Sequence, residues 1–308
     1  MRRTSRLALL GVTTLTAAGL ALSITAPAQA ALGAKPGKKV MAAVDQAKDA
    51  VLPTENRLPL VGAAPVGLPL SYGGGAVEVT STNYAIFWDP ARFSYNPTYP
   101  TLVQRFLGEV GGSTVYNTLT EYYGTVNGVQ TPIRNVVGFG GSTFDTTPFP
   151  SGGVTDADLQ AAVKRAITAN GWPTGIGNNY IVYTGQGGEA VASYCAYHSV
   201  VVVNGVTTPY ADELYGGQSG CTTPTSPNGN PAADSIINTT SHEVWETITD
   251  PNLGDGWTAV SGDEGSDECN FMFGTTDAGG ADLRINGHGY IVQQEWRNSK
   301  QPFGCVMS

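Results

Sequence analysis

The sequence predicts an α/β or α+β fold in which helices pack on a mixed sheet. Short β-branched or aromatic runs bounded by Gly, Asn or Asp indicate strands, and amphipathic runs between them indicate helices. Intervals rich in Gly, Thr and Asn, such as 205–233 and 251–288, indicate long surface loops. We expect one globular domain over residues 71–308, because about 235 residues fit a single large domain.

Five runs carry the strand pattern, and we place strands at 84–88, 133–137, 180–183, 199–203 and 290–294. The clearest helix covers 155–170, where Thr155 and Asp158 form a capping-box start and Gly171 follows the apolar stripe. Further helices are expected at 99–110, at 113–123, and from Asp234 to the residue before Pro251.

The first thirty residues have the pattern of a secretory signal peptide. Arg2, Arg3 and Arg6 precede an apolar run over 7–24, which ends in the small-residue cleavage site Ala28-Gln29-Ala30. Residues 31–70 are rich in Ala, Pro, Gly and Lys, which indicates a linker or propeptide. We therefore expect a secreted protein that keeps no membrane anchor after signal removal.

The charge of the chain narrows the choice of partners. The sequence has 16 basic and 25 acidic residues, a net charge of −9, and removal of the three signal-peptide arginines brings this to −12. An acidic protein repels phosphate groups, so nucleic acid and anionic membranes are excluded as partners. Acidic composition suits cation binding, and it also suits solubility alone.

Four cysteines stand in this chain with an export signal, so disulfides are expected. Of the three possible pairings we favour Cys195 with Cys221 and Cys269 with Cys305, because each pair closes a short local loop. No two cysteines have the C-x-x-C spacing of a zinc site.

The stretch SHEVWETITDP, residues 241–251, begins like the metalloprotease signature H-E-x-x-H but has a glutamate in place of the second histidine. Residues four apart share one face of a helix, so His242 and Glu246 can bind the same ion. In H-E-x-x-H enzymes the equivalent of Glu243 polarises the water on the metal, which makes Glu243 the candidate catalytic residue. The spacing also fits a solvated histidine–glutamate pair without a metal, and both interpretations stay open.

A catalytic zinc site needs a third protein ligand. Asp267 and Glu264 are the leading candidates, since they lie in the segment 262–269 that follows the predicted helix. His198, near Cys195, is the other candidate. Histidine favours Zn²⁺ as the ion. Ca²⁺ is the alternative, and its oxygen ligands would come from Asp250, Asp255, Asp263, Glu264 and Asp267.

Short blocks spread over residues 72–308 also carry a family resemblance. They are Tyr72-Gly-Gly-Gly-Ala76, Asn83-Tyr-Ala-Ile-Phe-Trp88, Cys195-Ala-Tyr-His198, His242-Glu-x-x-Glu246-x-x-Thr249-Asp-Pro251 and Asn286-Gly-His-Gly-Tyr290 before Cys305. Together they resemble the exordium-like (phosphate-induced protein) family and its secreted actinobacterial relatives, whose H-E-x-x-E helix is zincin-like. The resemblance implies an extracellular, cell-wall-associated protein; plant members are linked to growth regulation and have no firmly established catalytic activity.

The segment before Cys269 departs from the family pattern. Relatives tend to have Glu-Ile-Gly-Asp there, and Glu264 and Asp267 fall on the matching Glu and Asp. The isoleucine has no counterpart in this chain, which puts the packing of the loop in question.

Two functions are expected. The first is a secreted zincin-like peptidase or hydrolase, in which His242, Glu246 and Asp267 or Glu264 hold the ion, Glu243 is catalytic, and the substrate is an extracellular peptide. The second is a non-catalytic binding or signalling protein with a structural ion and cell-wall glycan as its partner. Sugar stacking would then use some of the tryptophans Trp88, Trp172, Trp245, Trp257 and Trp296.

Overall fold

The computed structural model describes residues 50–51, 69–91, 95–188, 194–217, 220–298 and 303–308. The chain divides into the units Met1–Val40 and Met41–Ser308, and all described residues belong to the second. The predicted signal peptide and nearly all of the predicted linker lie outside the described residues. Within those residues, none of the helices combines the length and the apolar character needed to cross a membrane.

The described residues form three α-helices, α1 (Tyr99–Glu109), α2 (Asp156–Asn170) and α3 (Pro231–Thr249). Two 3-10 helices cover Val115–Glu121 and Asp267–Cys269. In chain order, the strands are β1 (Ala50–Val51), β2 (Ser71–Tyr72), β3 (Ser81–Trp88), β4 (Tyr123–Val126), β5 (Val129–Pro132), β6 (Val137–Asp145), β7 (Asn178–Thr184), β8 (Ala196–Val203), β9 (Val206–Glu213), β10 (Trp257–Thr258), β11 (Leu283–Ile285), β12 (His288–Tyr290), β13 (Glu295–Arg297) and β14 (Gly304–Val306).

A mixed sheet of five strands forms the centre of the fold, in the order β8-β9-β7-β3-β6. The strands β9, β7, β3 and β6 are parallel, whereas β8 runs antiparallel to β9. The two-residue β1 pairs with the outer edge of β8. Asn204 and Gly205 join β8 to β9 with φ angles of 50° and 83°, the positive values that a tight hairpin turn requires. This hairpin places β8 at one side of the sheet.

Helices cover both faces of the sheet. Alternate residues of β3 point to opposite faces, so Ala85 and Phe87 pack in the core shared with α1 and α3, while Tyr84 and Ile86 pack against α2. The predicted mixed sheet with packed helices is therefore confirmed. The predicted capping box of α2 is confirmed as well, since the backbone N–H of Thr155 donates to Asp158 Oδ2 at 3.0 Å.

Helix α3 is buried along its whole length after the first turn, from Ala233 to Thr249, although many of its side chains are polar. Buried polar groups need hydrogen-bond partners. Thr239 donates to Glu213 Oε2 of β9 at 2.7 Å, and Asn238 Oδ1 accepts the backbone N–H of Gln293 at 2.7 Å. The sheet and the C-terminal segments therefore enclose α3 and fix its rotation.

Several sequence predictions of elements are wrong in detail. The strand expected at 133–137 begins at Val137, and the strand expected at 290–294 ends at Tyr290. The interval 205–233 contains the whole of β9, so it is not a continuous loop. The helix expected at 113–123 is a 3-10 helix. Its apolar residues occur at a spacing that suits either kind of helix, and tertiary packing decided between them.

Both predicted disulfides are confirmed: Cys195 is bonded to Cys221, and Cys269 to Cys305. The first bond closes 26 residues and lies next to the start of β8, and the second closes 36 residues and involves the last residue of the 3-10 helix that contains Asp267. Each cross-link restrains the ends of a long loop. Disulfides are typical of exported proteins.

Candidate metal centre

Three segments bring their side chains together on one side of α3. The helix contributes His242, Glu243 and Glu246, strand β8 contributes His198, and the loop that returns after α3 contributes Glu264 and Asp267. Helix α3 packs directly on β8, so a side chain from β8 reaches the polar face of the helix. We call these six residues the acid–imidazole cluster.

His242, Glu246 and Asp267 form the first donor group of this cluster. His242 Nε2 lies 3.1 Å from Glu246 Oε1 and 3.6 Å from Asp267 Oδ1. The i,i+4 spacing on α3 therefore aligns the two helical ligands as the sequence predicted. The loop carries Asp267 back to the helix, as the sequence also predicted.

His198, Glu243 and Glu246 form a second donor group. His198 Nδ1 lies 3.2 Å from Glu243 Oε2 and 3.8 Å from Glu246 Oε2. The sequence pattern offered His198 as an alternative third ligand to His242 and Glu246. The structure instead groups His198 with Glu243, the candidate catalytic residue.

Glu246 belongs to both groups and uses a different oxygen in each. Its Oε1 faces His242 and accepts the backbone N–H of Asp267 at 3.0 Å, while its Oε2 faces His198. The hydrogen bond from Asp267 holds the plane of the Glu246 carboxylate between the two histidines. This side chain is therefore the geometric centre of the cluster.

Glu264 lies at the other edge of His198. Its Oε2 is 3.6 Å from His198 Nε2, and it is in neither three-residue donor group. A carboxylate at the second nitrogen of a metal-binding histidine usually orients the ring. Asp250, Asp255 and Asp263, the additional calcium candidates, are also outside both groups. The carboxylate of Asp250 instead accepts the backbone N–H groups of the turn that follows α3, including that of Gly256 at 2.8 Å.

The separations between the donor atoms fit a small divalent ion. Zinc binds nitrogen and oxygen ligands at about 2.0–2.1 Å with tetrahedral geometry, which places its ligand atoms about 3.3 Å apart. Within the two groups the histidine nitrogens lie 3.1–3.8 Å from the carboxylate oxygens, and all donor atoms of one group lie within 4.8 Å of one another. A ring of six to eight oxygens, as Ca²⁺ prefers, is not what either group offers, because each contains one imidazole and two carboxylates.

The cluster is almost completely shielded from solvent, with side-chain exposures from 0% to 5%. Burial lowers the pKa of His198 to about 3, which keeps the imidazole in the neutral form that binds metals. Four ionised carboxylates buried together carry a large electrostatic cost, and a bound cation offsets it.

Three further buried residues support the cluster and were not predicted from the sequence: Ser266, Gln293 and Glu295. Ser266 donates to Glu295 Oε2 at 2.6 Å and also contacts the backbone carbonyl of His242 at 3.3 Å. Gln293 donates to the backbone carbonyl of Ser266 at 2.7 Å. Burial raises the pKa of Glu295 well above its usual value. No spacing in the sequence links β13 to α3, so only the folded chain reveals these contacts.

A search of the chain against models of known protein families finds no match, and a search of curated proteins finds none either. The resemblance to the exordium-like family therefore stays a prediction, and so does the zincin-like arrangement. The residues of the cluster and their geometry are the basis on which a function can be proposed.

Proposed function

We propose that this protein is a secreted metal-dependent hydrolase of the zincin-like kind that acts on peptide bonds, with one zinc ion held by His242, Glu246 and Asp267. The convergence of these three donors, at 3.1 and 3.6 Å from His242 Nε2, carries the proposal. Three protein ligands of the histidine and carboxylate type are characteristic of catalytic zinc sites, whereas structural sites usually have four ligands rich in cysteine. All four cysteines of this chain are in disulfides.

A zinc ion in such a site acts as a Lewis acid and lowers the pKa of water. Glu246 is fixed by the N–H of Asp267, and Asp267 is fixed by the disulfide that comes after it. Glu243 follows His242 on α3, and its side chain is fully buried. In this position its carboxylate can accept and release a proton. Its 3.2 Å contact with His198 Nδ1 orients this carboxylate.

Burial sets a condition on the hydrolase. A substrate carbonyl must approach the centre, yet the side chains of the cluster are at most 5% exposed. Catalysis therefore requires that the loop containing Glu264 and Asp267, or another segment packed beside β8, moves away from the cluster. Active sites that open only with substrate are a known way to exclude water.

The same burial favours a second candidate function, a non-catalytic extracellular protein with a structural ion. In that case the ion ties β8, α3 and the loop of Asp267 together. Sugar stacking on tryptophan is limited to Trp172, which is partly buried. Trp88, Trp245, Trp257 and Trp296 are at most 7% exposed, so they offer no stacking surface for a sugar.

The test begins with the metal content of the purified secreted protein, measured by mass spectrometry after gel filtration. We expect bound zinc that His242→Ala removes and that His288→Ala leaves in place. His288 is the matched control, because it is 44% exposed on its side chain and pairs with Glu109. A wild-type protein that binds no divalent metal contradicts both candidate functions.

Peptidase activity then separates the two candidates. A hydrolase cleaves unstructured peptides, loses activity with a chelator and regains it with zinc. Glu243→Gln is expected to lower its activity at least about 100-fold, in the range of a lost general acid–base group. A zinc-loaded protein that cleaves no peptide supports the structural role instead.

A further inference from the structure

We propose that the cluster is built for two divalent cations, with Glu246 bridging them. The second ion would be held by His198 Nδ1, Glu243 Oε2 and Glu246 Oε2. This inference rests on the proposed metal binding of the first group and adds a second site beside it. Two ions that share a carboxylate form the type of centre found in many hydrolases of peptides and phosphate esters.

The carboxylate of Glu246 takes part in both donor groups. Oε1 lies 3.1 Å from His242 Nε2, whereas Oε2 lies 3.8 Å from His198 Nδ1. The two oxygens of one carboxylate therefore point at different histidines. The two histidines fall in separate donor groups, so a single ion bound by Glu246 and one histidine leaves the other imidazole outside its coordination.

The surroundings of His198 also favour a second ion. Both of its ring nitrogens face carboxylates, Nδ1 at 3.2 Å from Glu243 and Nε2 at 3.6 Å from Glu264. Nε2 is buried, and the backbone of Asp250 is a further hydrogen-bond partner of the ring. A ring that binds a metal through Nδ1 carries its proton on Nε2, where a carboxylate usually accepts it. Glu264 is placed for that function, as a positioning residue.

The charge of the cluster also favours two ions. Glu243, Glu246, Glu264 and Asp267 carry four negative charges when ionised, and they are at most 5% exposed. One divalent cation neutralises half of this charge, and two neutralise all of it. The histidines add no charge when they are neutral, which is the form that binds a metal. Two ions therefore match the number of buried carboxylates.

A second ion changes the expected role of Glu243. With one ion, Glu243 is a general base that does not bind the metal, and its substitution leaves metal binding intact. With two ions, Glu243 is a ligand, so Glu243→Gln weakens the second ion. Metal content therefore distinguishes these roles without any measurement of activity.

The experiment measures the number of ions bound per chain. The secreted protein is stripped with a chelator, titrated with Zn²⁺, and passed through a desalting column before elemental analysis. We expect two zinc ions per wild-type chain, one in His198→Ala and two in the control His288→Ala. Glu264→Gln is expected to keep both sites but to weaken the second ion about 10–100-fold, as is usual for loss of an orienting carboxylate.

Mn²⁺ provides a second measurement on the wild-type chain, which is independent of whether His198→Ala folds. Two Mn²⁺ ions that share a carboxylate are magnetically coupled, so their paramagnetic resonance spectrum differs from the six-line spectrum of an isolated ion. One ion per wild-type chain, retained in His198→Ala and lost in His242→Ala, overturns the second site and leaves the proposed function standing. Two uncoupled ions also overturn it, and a chain that binds no ion overturns both proposals.

Discussion

Glu78 and the acid–imidazole cluster both bury carboxylates near α3, but the surroundings differ. Glu78 is 1% exposed and accepts N–H groups from the backbone of Gly177 at 2.9 Å and from the side chain of Asn179 at 3.0 Å. The same Asn179 amide donates to Ser81 at 2.9 Å. We call these residues the Glu78 network. It supplies one carboxylate with uncharged N–H donors from the protein.

The acid–imidazole cluster holds several carboxylates instead of one. It gathers four carboxylates, and its two histidines supply one N–H each when they are neutral. The backbone N–H of Asp267 adds a further donor to Glu246. Four carboxylates buried in one cluster repel one another and gain most from a cation, whereas the Glu78 network buries a single carboxyl among N–H donors. The number of carboxylates that share one buried site therefore distinguishes the structural polar network from the candidate metal centre.

Removal of metal gives the largest expected effect, and it acts on the cluster alone. At zinc concentrations about 1,000 times the dissociation constant, a bound ion adds about 4 kcal/mol to the free energy of unfolding. We expect a chelator to lower the Tm by roughly 8–16 °C, given about 2–4 °C per kcal/mol for a chain of this size. Differential scanning calorimetry with and without chelator measures the shift.

Three variants test whether the effect of the chelator on the Tm comes from the acid–imidazole cluster. His242→Ala is expected to make the Tm insensitive to the chelator, whereas His288→Ala and Glu78→Gln keep the full response. An unchanged wild-type Tm in the presence of the chelator would contradict the contrast between the acid–imidazole cluster and the Glu78 network.

The Glu78 network is expected to make stability depend on pH. Burial raises the pKa of Glu78 from 4.5 to about 7, despite its hydrogen bonds. Between these values the folded chain keeps a proton that the unfolded chain has released, so stability falls as the pH rises through this window. The expected loss is about 3 kcal/mol from pH 4.5 to pH 7, and it stays constant above.

Glu78→Gln has no group that titrates, so this part of the pH dependence disappears. Urea unfolding at pH 5 and pH 8 measures it as the difference between wild type and variant. Burial raises the pKa of Asp282 to about 6. Buried acids such as this one contribute equally to the pH dependence of stability in the wild type and in Glu78→Gln. An equal loss of stability in wild type and Glu78→Gln would show that Glu78 does not retain its proton.

Asn179→Ala tests whether protein donors hold the Glu78 carboxyl. The change removes the N–H at 3.0 Å from Glu78 Oε2 and leaves a buried polar group with fewer partners. We expect a loss of about 1–3 kcal/mol in the free energy of unfolding. Asn178→Ala is the matched control, since its side-chain contacts with Thr174 and Gly175 are long, at 3.5 and 3.4 Å. Equal losses in both variants would contradict the role of Asn179.

Ser266→Ala gives the smallest expected effect and lies next to the cluster without belonging to it. The change removes the hydrogen bond from Ser266 to Glu295, at a cost of about 1 kcal/mol. The donor atoms keep their positions, so we expect zinc content equal to that of the wild type. Loss of zinc in Ser266→Ala would extend the metal centre to Glu295.

Local patterns in the sequence determined the features that depend on short distances along the chain. The capping box of α2 and the i,i+4 alignment of His242 with Glu246 follow from helical geometry alone. The disulfide pairing follows from short loops closed by neighbouring cysteines. The residue types of the predicted ligands also came from the sequence, and four of these five residues, His198, His242, Glu246 and Asp267, lie in a donor group.

Only the tertiary structure decided which of these side chains meet. His198 and Glu243 are 45 residues apart, and their contact depends on the hairpin that turns β8 antiparallel to β9 and places it against α3. The sequence contains the 3.6-residue period of a helix, but it does not state which strand the helix packs on. The burial of apolar surface across the whole domain decides which strand the helix packs on. As a result, the fold has two donor groups around Glu246 where the sequence predicted one site with three ligands.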